Sequence, residues 1–296
     1  MVKSVTFEHA NSAYLPGFEL AVELSATSDL GEAVCQADLV VVGVPTSGFR
    51  HVLEEAARYM RPWIPVVSLS KGLEGGSHLR MTEVISQVVP GHPVAALTGP
   101  NIAHEIMSGK AAAAVIATED LEVASAIQKV FTRGVFRVYV NDDVVGCEMG
   151  GALKNVIAIA VGCSDGFGFG LNARAALMTR GLAEMGRLAV RLGAHPLTLA
   201  GLAGFGDLVL TCTGELSRNR QVGLALARGE TLPQIVAALG HVAEGIGTAR
   251  TARALADELG VEMPITHAVA SVLHDGVTAR DAVTHLLARE TRAERA

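Results

Sequence analysis

The feature that most constrains the fold is an alternation of short, β-branched apolar runs with amphipathic stretches between Ala37 and Asn141. The apolar runs are ADLVVVGVP, PVVSLSKG, PVAALTGP, AAAAVIATE and FRVYV, and stretches such as FRHVLEEAARYM and LEVASAIQKVFT separate them. Strands that alternate with helices are typical of a parallel α/β sheet, and continuously apolar strands are typical of sheets covered on both faces. The sequence therefore predicts a doubly wound parallel sheet in the first part of the chain.

Strand signals stop after Asp142, and the rest of the chain has the pattern of successive helices. Apolar residues recur there at spacings of three and four with Arg, Glu and Asp between them, which gives each helix one buried face and one solvated face. We therefore expect an α/β domain of the dinucleotide-binding type over residues 1–141 and an all-α domain over residues 142–296.

The composition argues against several classes of protein. The 296 residues are 50% hydrophobic and carry a formal charge of -6, which argues against disorder and against nucleic-acid or membrane-surface partners. Apolar runs shorter than the roughly 18 residues of a membrane-spanning helix, and an N-terminus without a signal-peptide core, predict a cytoplasmic protein. The 4 cysteines are widely spaced and the 10 histidines form no HExxH motif, so we expect no disulfide framework and no metal site.

One lysine stands out in the first predicted helix of the second domain, which contains GGALKNVIAIAV from Gly150 to Val161. Lys154 is the only charged residue of this small, apolar stretch. Burial would lower its pKa toward neutrality and make it a usable proton donor and acceptor, whereas a snorkelling side chain would keep its ammonium group in water. Both interpretations fit the pattern. The neighbouring Asn155 would be placed to orient a substrate oxygen.

A second candidate site is the segment GLAGFGDLVLTCTGELSRNRQVGLALARG. Ser217 is predicted to cap a helix, so that free N–H groups, the helix dipole, Arg218, Asn219 and Arg220 converge as an anion site. Two arginines at a helix start are equally compatible with a solvated surface. Asp207 is expected either to pair with a buried lysine or to cap a helix.

Two strand ends and one glycine motif remain. SLSKGLEGG contains Lys71 and LTGPNIAHE contains Gly99 and Asn101, and both follow predicted strands, where open α/β sheets bind ligands. Lys71 alone would equally be a solvated lysine. The sequence GFGLNA, Gly168–Ala173, matches G-x-G-x-x-A but does not directly follow a strand, so it is predicted to connect two helices.

Several of these blocks resemble the NAD(P)-dependent glycerol-3-phosphate dehydrogenase family. They are VPTSGFRHVL, SLSKGLE, LTGPNIAHE, GALKNVIAIAVGCSDGFGFGLNARAALMTRGLAEM, GLAGFGDLVLTCTGELSRNRQ and HVAEG. The resemblance implies a Rossmann domain followed by a helical domain, and a cytosolic enzyme that interconverts dihydroxyacetone phosphate and sn-glycerol 3-phosphate for phospholipid synthesis. NAD or NADP would be the cofactor, and a homodimer is expected.

The resemblance also implies roles for individual residues. Lys154 corresponds to the catalytic proton donor, and Asp207 is expected to hold it in place. The substrate-binding residues implied in the same way are Lys71, Gly99, Asn101, Lys154, Asp207, Ser217, Arg218 and Asn219. The cofactor-binding residues implied are Lys71, Ala103, Arg218, Val242 and Glu244.

The region before residue 37 departs from the family pattern. It contains no glycine-rich turn between a strand and a helix, the device that holds the pyrophosphate in Rossmann domains. We therefore expect an N-terminally truncated Rossmann-like sheet that lacks one βαβ unit of roughly 30 residues. The alternative function is a catalytically impaired fragment or paralogue that binds glycerol phosphates or serves in dimerisation.

Overall fold

The computed structural model describes residues 1–240 and 242–290, and these form two compact units. The first comprises Met1–Ser70 and Met81–Val144, and the second comprises Lys71–Arg80 and the chain from Val145 onward. Residues 71–80 thus differ from the predicted domain ranges. They belong to the helical unit because Leu73 is buried in its core and Arg80 pairs with Glu148 at 2.8 Å.

The first unit alternates helices and strands as the sequence predicts. Its elements are α1 (Val2–Phe7), β1 (Ala10–Asn11), β2 (Leu15–Glu19), α2 (Leu30–Val34), β3 (Val40–Val42), α3 (Thr46–Ala57), β4 (Val66–Ser68), α4 (Met81–Val88), β5 (Val94–Thr98), α5 (Ala103–Met107), β6 (Ala112–Ala117), α6 (Leu121–Phe131) and β7 (Phe136–Asn141). The five-stranded sheet has the order β3-β4-β5-β6-β7. All residues of β4, and consecutive residues of β5 and β6, are buried, which confirms that these central strands are covered on both faces.

The sheet is not entirely parallel. The pairs β3–β4, β4–β5 and β6–β7 are parallel, whereas β5 and β6 pair antiparallel, with Leu97 opposite Ile116. The prediction of a fully parallel sheet is wrong at this pair for a geometric reason. The 5 residues of α5 rise only about 7.5 Å, too little to return the chain along a strand about 17 Å long. The 11 residues of α6 rise about 16 Å and suit the parallel crossover that follows.

Residues 1–36 form a separate arrangement within the first unit. Here α1 is followed by the antiparallel hairpin β1–β2 and by α2, and the hairpin strands form their own two-stranded sheet. Asp29 caps α2 by accepting from the Glu32 N–H at 3.0 Å. The described residues 1–36 therefore contribute no strand to the five-stranded sheet.

The second unit is helical in its described residues, as predicted. Its elements are α7 (Val144–Gly166), α8 (Gly170–Arg191), a 3-10 turn (Pro196–Ala200), a π-helical turn (Leu202–Gly206), α9 (Asp207–Thr213), α10 (Arg218–Ala227), α11 (Leu232–Leu239), α12 (Glu244–Leu259), α13 (Pro264–His274) and α14 (Ala279–Leu287). Gly168 lies between α7 and α8 and Gly170 is the first residue of α8, both with positive φ, which confirms that this glycine motif connects two helices.

Helix α7 is the centre of this unit. Its 23 residues contain an 18-residue segment with a mean hydropathy of 1.5, so among the described residues it is the one helix long and apolar enough to cross a bilayer. The expectation that no apolar segment reaches that length does not hold for α7. However, 89% of the segment is buried within the protein, where Leu153, Ile157 and Val161 pack in the main core.

Glycines allow α7 and α10 to touch along their backbones. A Cβ atom at Gly162 would lie 2.1 Å from the Arg220 carbonyl oxygen, and one at Gly223 would lie 2.1 Å from that of Ile159. Neither position has room for a larger residue, so this crossing fixes where α10 begins relative to α7.

Candidate active site

Asp207 is positioned by an irregular turn that packs against α7. The π-helical turn runs directly into α9, whose first residue is Asp207. A Cβ at Gly150 would lie 2.5 Å from the Ala203 carbonyl oxygen, so this glycine allows the turn to approach α7 closely. Lys154 follows Gly150 by one helical turn on the same face. The lysine and the aspartate are thereby brought together inside the unit.

Lys154 is buried rather than snorkelling. Its side chain is 6% exposed, and its Nζ atom donates to Oδ1 of Asp207 and, at 2.8 Å, to Oγ1 of Thr211. The Thr211 hydroxyl in turn donates to the Asp207 backbone carbonyl at 2.7 Å. Since its only hydrogen is used there, Thr211 presents a lone pair to the ammonium group of Lys154.

Burial changes the acid strength of this lysine. Loss of hydration and, to a smaller extent, the nearby Lys71 ammonium lower the pKa of Lys154 from 10.5 to about 7, although Asp207 acts in the opposite direction. Both protonation states are therefore accessible near neutral pH. This is the condition under which one group serves as proton donor and as proton acceptor.

Lys71 is the second lysine that binds the Asp207 carboxylate. Its Nζ atom donates to Oδ2 of Asp207 at 2.8 Å, and its side chain is 17% exposed. Lys71 is therefore not a solvated strand-end lysine. Asp207 uses its carboxylate for two lysines rather than for a helix cap, so these three side chains together carry one excess positive charge when Lys154 is protonated.

The side-chain amides of Asn155 and Asn219 form a chain of hydrogen bonds that begins at Lys71. Asn155 donates through Nδ2 to the carbonyl oxygens of Lys71 at 3.1 Å and Gly151 at 3.3 Å, and its Oδ1 accepts from Asn219 at 2.8 Å. Asn219 accepts through Oδ1 from the Gly245 N–H at 3.0 Å. Because both amide hydrogens of Asn155 have protein acceptors, it holds neighbouring segments, and the expectation that it orients a substrate oxygen is not supported.

The N-terminus of α10 has the predicted cap but not all of the predicted cations. Ser217 accepts from the Arg220 N–H at 3.3 Å, which confirms the cap. Arg218 is exposed, and it has no ion-pair partner among the residues that the structure describes. Arg220 instead donates through Nε to Asp165 at 2.8 Å, so it is not the third member of an anion site. The predicted anion site at the start of α10 is thus reduced to the free N–H groups of the helix, Arg218 and Asn219.

Two of the predicted cofactor contacts lie next to this amide chain. Val242 is 47% exposed, and Glu244 is the first residue of α12, directly before the Gly245 that bonds to Asn219. A Cβ at Gly245 would lie 2.7 Å from the Asn155 carbonyl oxygen, so glycine is required for this close approach. The roles of Val242 and Glu244 toward a cofactor stay predictions.

The remaining predicted residues, Gly99, Asn101 and Ala103, belong to the first unit. Gly99 follows β5 with φ +109, and a Cβ atom there would lie 3.3 Å from the Ala114 Cα. Asn101 is half-buried, and Ala103 is the exposed first residue of α5. Their roles toward substrate and cofactor also stay predictions.

The sheet edge of the first unit fits a dinucleotide. Because β3, β4 and β5 are parallel, their carboxyl ends lie at one edge of the sheet, the edge at which open α/β sheets bind dinucleotides. Gly43 follows β3 and Gly99 follows β5, and Ser70, just after β4, donates to the Val44 carbonyl at 2.5 Å. Gly43 is exposed at this edge, so its backbone is accessible to a ligand.

Sequence reasoning missed Thr211 and the pairing of Lys71 with Asp207. Thr211 lies four residues after Asp207 on α9, and this spacing places the two on one helix face, a signal that was available. Lys71 and Asp207 are 136 residues apart, and no local pattern indicates that they meet.

Three other buried titratable groups of the helical unit have structural rather than catalytic surroundings. Burial raises the pKa of the thiols of Cys163 and Cys212 to about 12, so neither is a nucleophile near neutral pH. Glu184 accepts from the backbone N–H groups of Ile265 at 2.7 Å and Thr266 at 3.1 Å, at the start of α13. Within the described residues, no group of three or more His, Cys, Asp or Glu side chains is arranged to hold a metal ion.

Comparison with known families covers both units. The sequence model described as "NAD-dependent glycerol-3-phosphate dehydrogenase N-terminus" matches residues 1–124, and the corresponding C-terminus model matches residues 143–284. The chain belongs to the NAD-dependent glycerol-3-phosphate dehydrogenase family. Because the N-terminal model of that family matches from residue 1, the expectation of a missing glycine-rich segment is not supported, and a truncated Rossmann domain is not confirmed.

Individual family members agree over nearly the whole chain. The glycerol-3-phosphate dehydrogenase [NAD(P)+] 2 of Sphingopyxis alaskensis is 54% identical over 286 residues, which are 97% of this chain and 86% of that protein. The corresponding enzyme of Anaeromyxobacter dehalogenans is 50% identical over 99% of this chain and 90% of that protein. The crystal structure of glycerol-3-phosphate dehydrogenase from Coxiella burnetii has a TM-score of 0.93 at 38% identity, and the match covers 97% of this chain and 88% of that one.

Proposed function

We propose that this protein is a glycerol-3-phosphate dehydrogenase that reversibly transfers a hydride between NAD or NADP and the pair dihydroxyacetone phosphate and sn-glycerol 3-phosphate. The observation that carries the proposal is Lys154, which is buried, bound to Asp207 and Thr211, and has its pKa lowered to about 7. The family shows which substrate pair to test.

The chain's own residues supply the proton chemistry. A bound nicotinamide would supply the hydride to C2 in the reductive direction. Lys154 donates a proton from Nζ to the C2 oxygen, so that the ketone becomes a secondary alcohol. In the oxidative direction the neutral amine of Lys154 accepts that proton. Asp207 keeps the lysine oriented and opposes the loss of its charge, and Lys71 adds positive charge where negative charge develops on the oxygen.

The phosphate is bound by the start of α10. Arg218, the free N–H groups of the capped helix and the helix dipole favour a dianion there, with Asn219 held beside them by Asn155 and Gly245. Gly99 and Asn101 contribute further substrate contacts. For the cofactor we assign Lys71 and Arg218 together with Ala103, Val242 and Glu244.

A homodimer is part of the same proposal. Its support is the set of exposed apolar side chains on the helical unit, among them Leu171 and Leu287, which are 75% and 79% exposed. Light scattering on purified protein at micromolar concentration should give twice the mass of one chain, and the mass of one chain would overturn the dimer without affecting the chemistry.

The decisive test is turnover by the purified chain. Addition of dihydroxyacetone phosphate should consume NADH or NADPH, whereas dihydroxyacetone, which lacks the phosphate bound by Arg218, should react far more slowly. No turnover by folded protein would overturn the proposal and would favour the alternative, a catalytically impaired chain that binds glycerol phosphates.

A further inference from the structure

A cluster of three charged side chains lies beside the proposed phosphate site and is not used by the chemistry described above. Asp165, near the end of α7, is 7% exposed in its side chain. Its Oδ1 accepts from Nε of Arg174 at 3.0 Å and lies 3.0 Å from Nη2 of the same residue. Its Oδ2 accepts from Nε of Arg220 at 2.8 Å and lies 2.8 Å from Nη2 of that residue. Asp165 therefore joins the end of α7 to the first turns of α8 and α10.

The position of Arg220 within α10 determines what this pairing can do. Successive residues of an α-helix are about 100° apart, so Arg218 and Arg220 project about 200° apart, in nearly opposite directions. Arg220 is turned toward α7 by Asp165, and Arg218 is consequently turned away from it and is exposed. The intervening Asn219 is held by Asn155 and Gly245.

A Cβ at Gly162 would lie 2.1 Å from the Arg220 carbonyl oxygen, so the backbone of the first turn of α10 is in close contact with α7. Ser217 and Asn219 restrain that turn on one side, and the Asp165–Arg220 pair restrains it on the other.

We propose that Asp165 and Arg220 are positioning residues that aim Arg218 at the substrate phosphate. The inference rests on the proposed function, because it deepens the role of that site. Charge-assisted hydrogen bonds between a guanidinium group and a carboxylate hold their partners in a defined geometry, and displacement of a binding group by about 1 Å reduces reaction rates by up to about 100-fold.

The test uses a double-mutant cycle on the full chain. Asp165→Asn should lower kcat/KM for dihydroxyacetone phosphate about 10- to 100-fold, mainly through KM, and should leave the slow reduction of dihydroxyacetone unchanged. In the Arg218→Ala background, Asp165→Asn should not lower kcat/KM further, because the arginine side chain that Asp165 helps to position is absent. A merely structural role would instead reduce the reaction of both substrates and would add to the effect of Arg218→Ala.

Two further variants keep the result interpretable. Arg220→Gln should reproduce the effect if Asp165→Asn fails to fold, since Asp165 then keeps Arg174. Glu230→Gln is the matched control, because it removes the 2.7 Å partner of Arg228 at the other end of α10, and it should change nothing. Unchanged kcat/KM in the Asp165 and Arg220 variants would overturn the inference.

Binding of glycerol 3-phosphate, measured by calorimetry, separates the inference from the proposed function. The unaltered chain should bind it, and Asp165→Asn should bind it about 10-fold more weakly. Equal binding by both proteins would overturn only the inference. Absence of binding by the unaltered chain would overturn the inference together with the proposed phosphate site.

Discussion

The carboxylate of Asp207 binds Lys154 through one oxygen and Lys71 through the other, and Asp207 is only 1% exposed. One buried negative charge thus holds two ammonium groups. This relationship explains why Lys154 retains a usable proton near neutral pH although burial lowers its pKa to about 7.

Replacing Asp207 with Asn should shift the pH dependence of the reaction. Asp207 raises the pKa of Lys154, so its loss lowers that pKa further below about 7. Reduction needs the protonated lysine, and kcat/KM therefore falls as pH rises through this pKa. In the Asn variant the fall should occur at lower pH. Profiles between pH 5 and 9 test this, with the exposed Asp257→Asn as control, and coincident profiles would contradict the assignment.

The stability of the protein should also respond to this lysine. The pKa of Lys154 is about 7 in the folded state and 10.5 when unperturbed, so between these values the unfolded chain binds more protons and the free energy of unfolding rises with pH. The penalty of burying the charged form is complete below about pH 7. Lys154→Met should remove this part of the slope, which urea unfolding at pH 7 and pH 9 would measure. An unchanged slope would contradict the shifted pKa.

Replacing glycine with alanine should destabilise the protein where the glycine packs against a neighbouring backbone and should not where it has open space around it. Gly223→Ala would place a Cβ 2.1 Å from a backbone oxygen of α7 and should cost about 1–3 kcal/mol. Gly186→Ala, within α8, has open space around the new atom and should stabilise by about 0.5–1 kcal/mol. Thermal unfolding of the two variants compares them directly. A Gly223→Ala variant as stable as the unaltered chain would show that α7 and α10 do not cross as described.

Much of the fold was predictable because its signals are local. The alternation of apolar runs and amphipathic stretches indicated β3 to β7 and the helices between them, and the helical spacing indicated the second unit. The direction of β6 was not predictable in the same way, because strand pairing depends on contacts that are distant in sequence. The short α5 is what decides it.

The candidate site was predictable in part for the same reason. Lys154 stands out as a lone charge in an apolar helix, and Ser217 has the position of a cap. The sequence did not indicate that Asn155 bonds to the Lys71 carbonyl or that Arg220 pairs with Asp165, because these contacts join segments 84 and 55 residues apart. The Asp165–Arg220 pair follows from the packing of α7 against α10, which glycine spacing alone does not reveal.

The central claim is that Lys154 is the proton donor, and side-by-side rates of dihydroxyacetone phosphate reduction by the unaltered chain and Lys154→Ala test it most directly. The substitution should lower kcat about 100- to 10,000-fold while the protein stays folded by circular dichroism, because general acid catalysis is lost. Lys129→Ala, on the exposed face of α6, should retain full activity. Equal rates for the unaltered chain and Lys154→Ala would contradict the account.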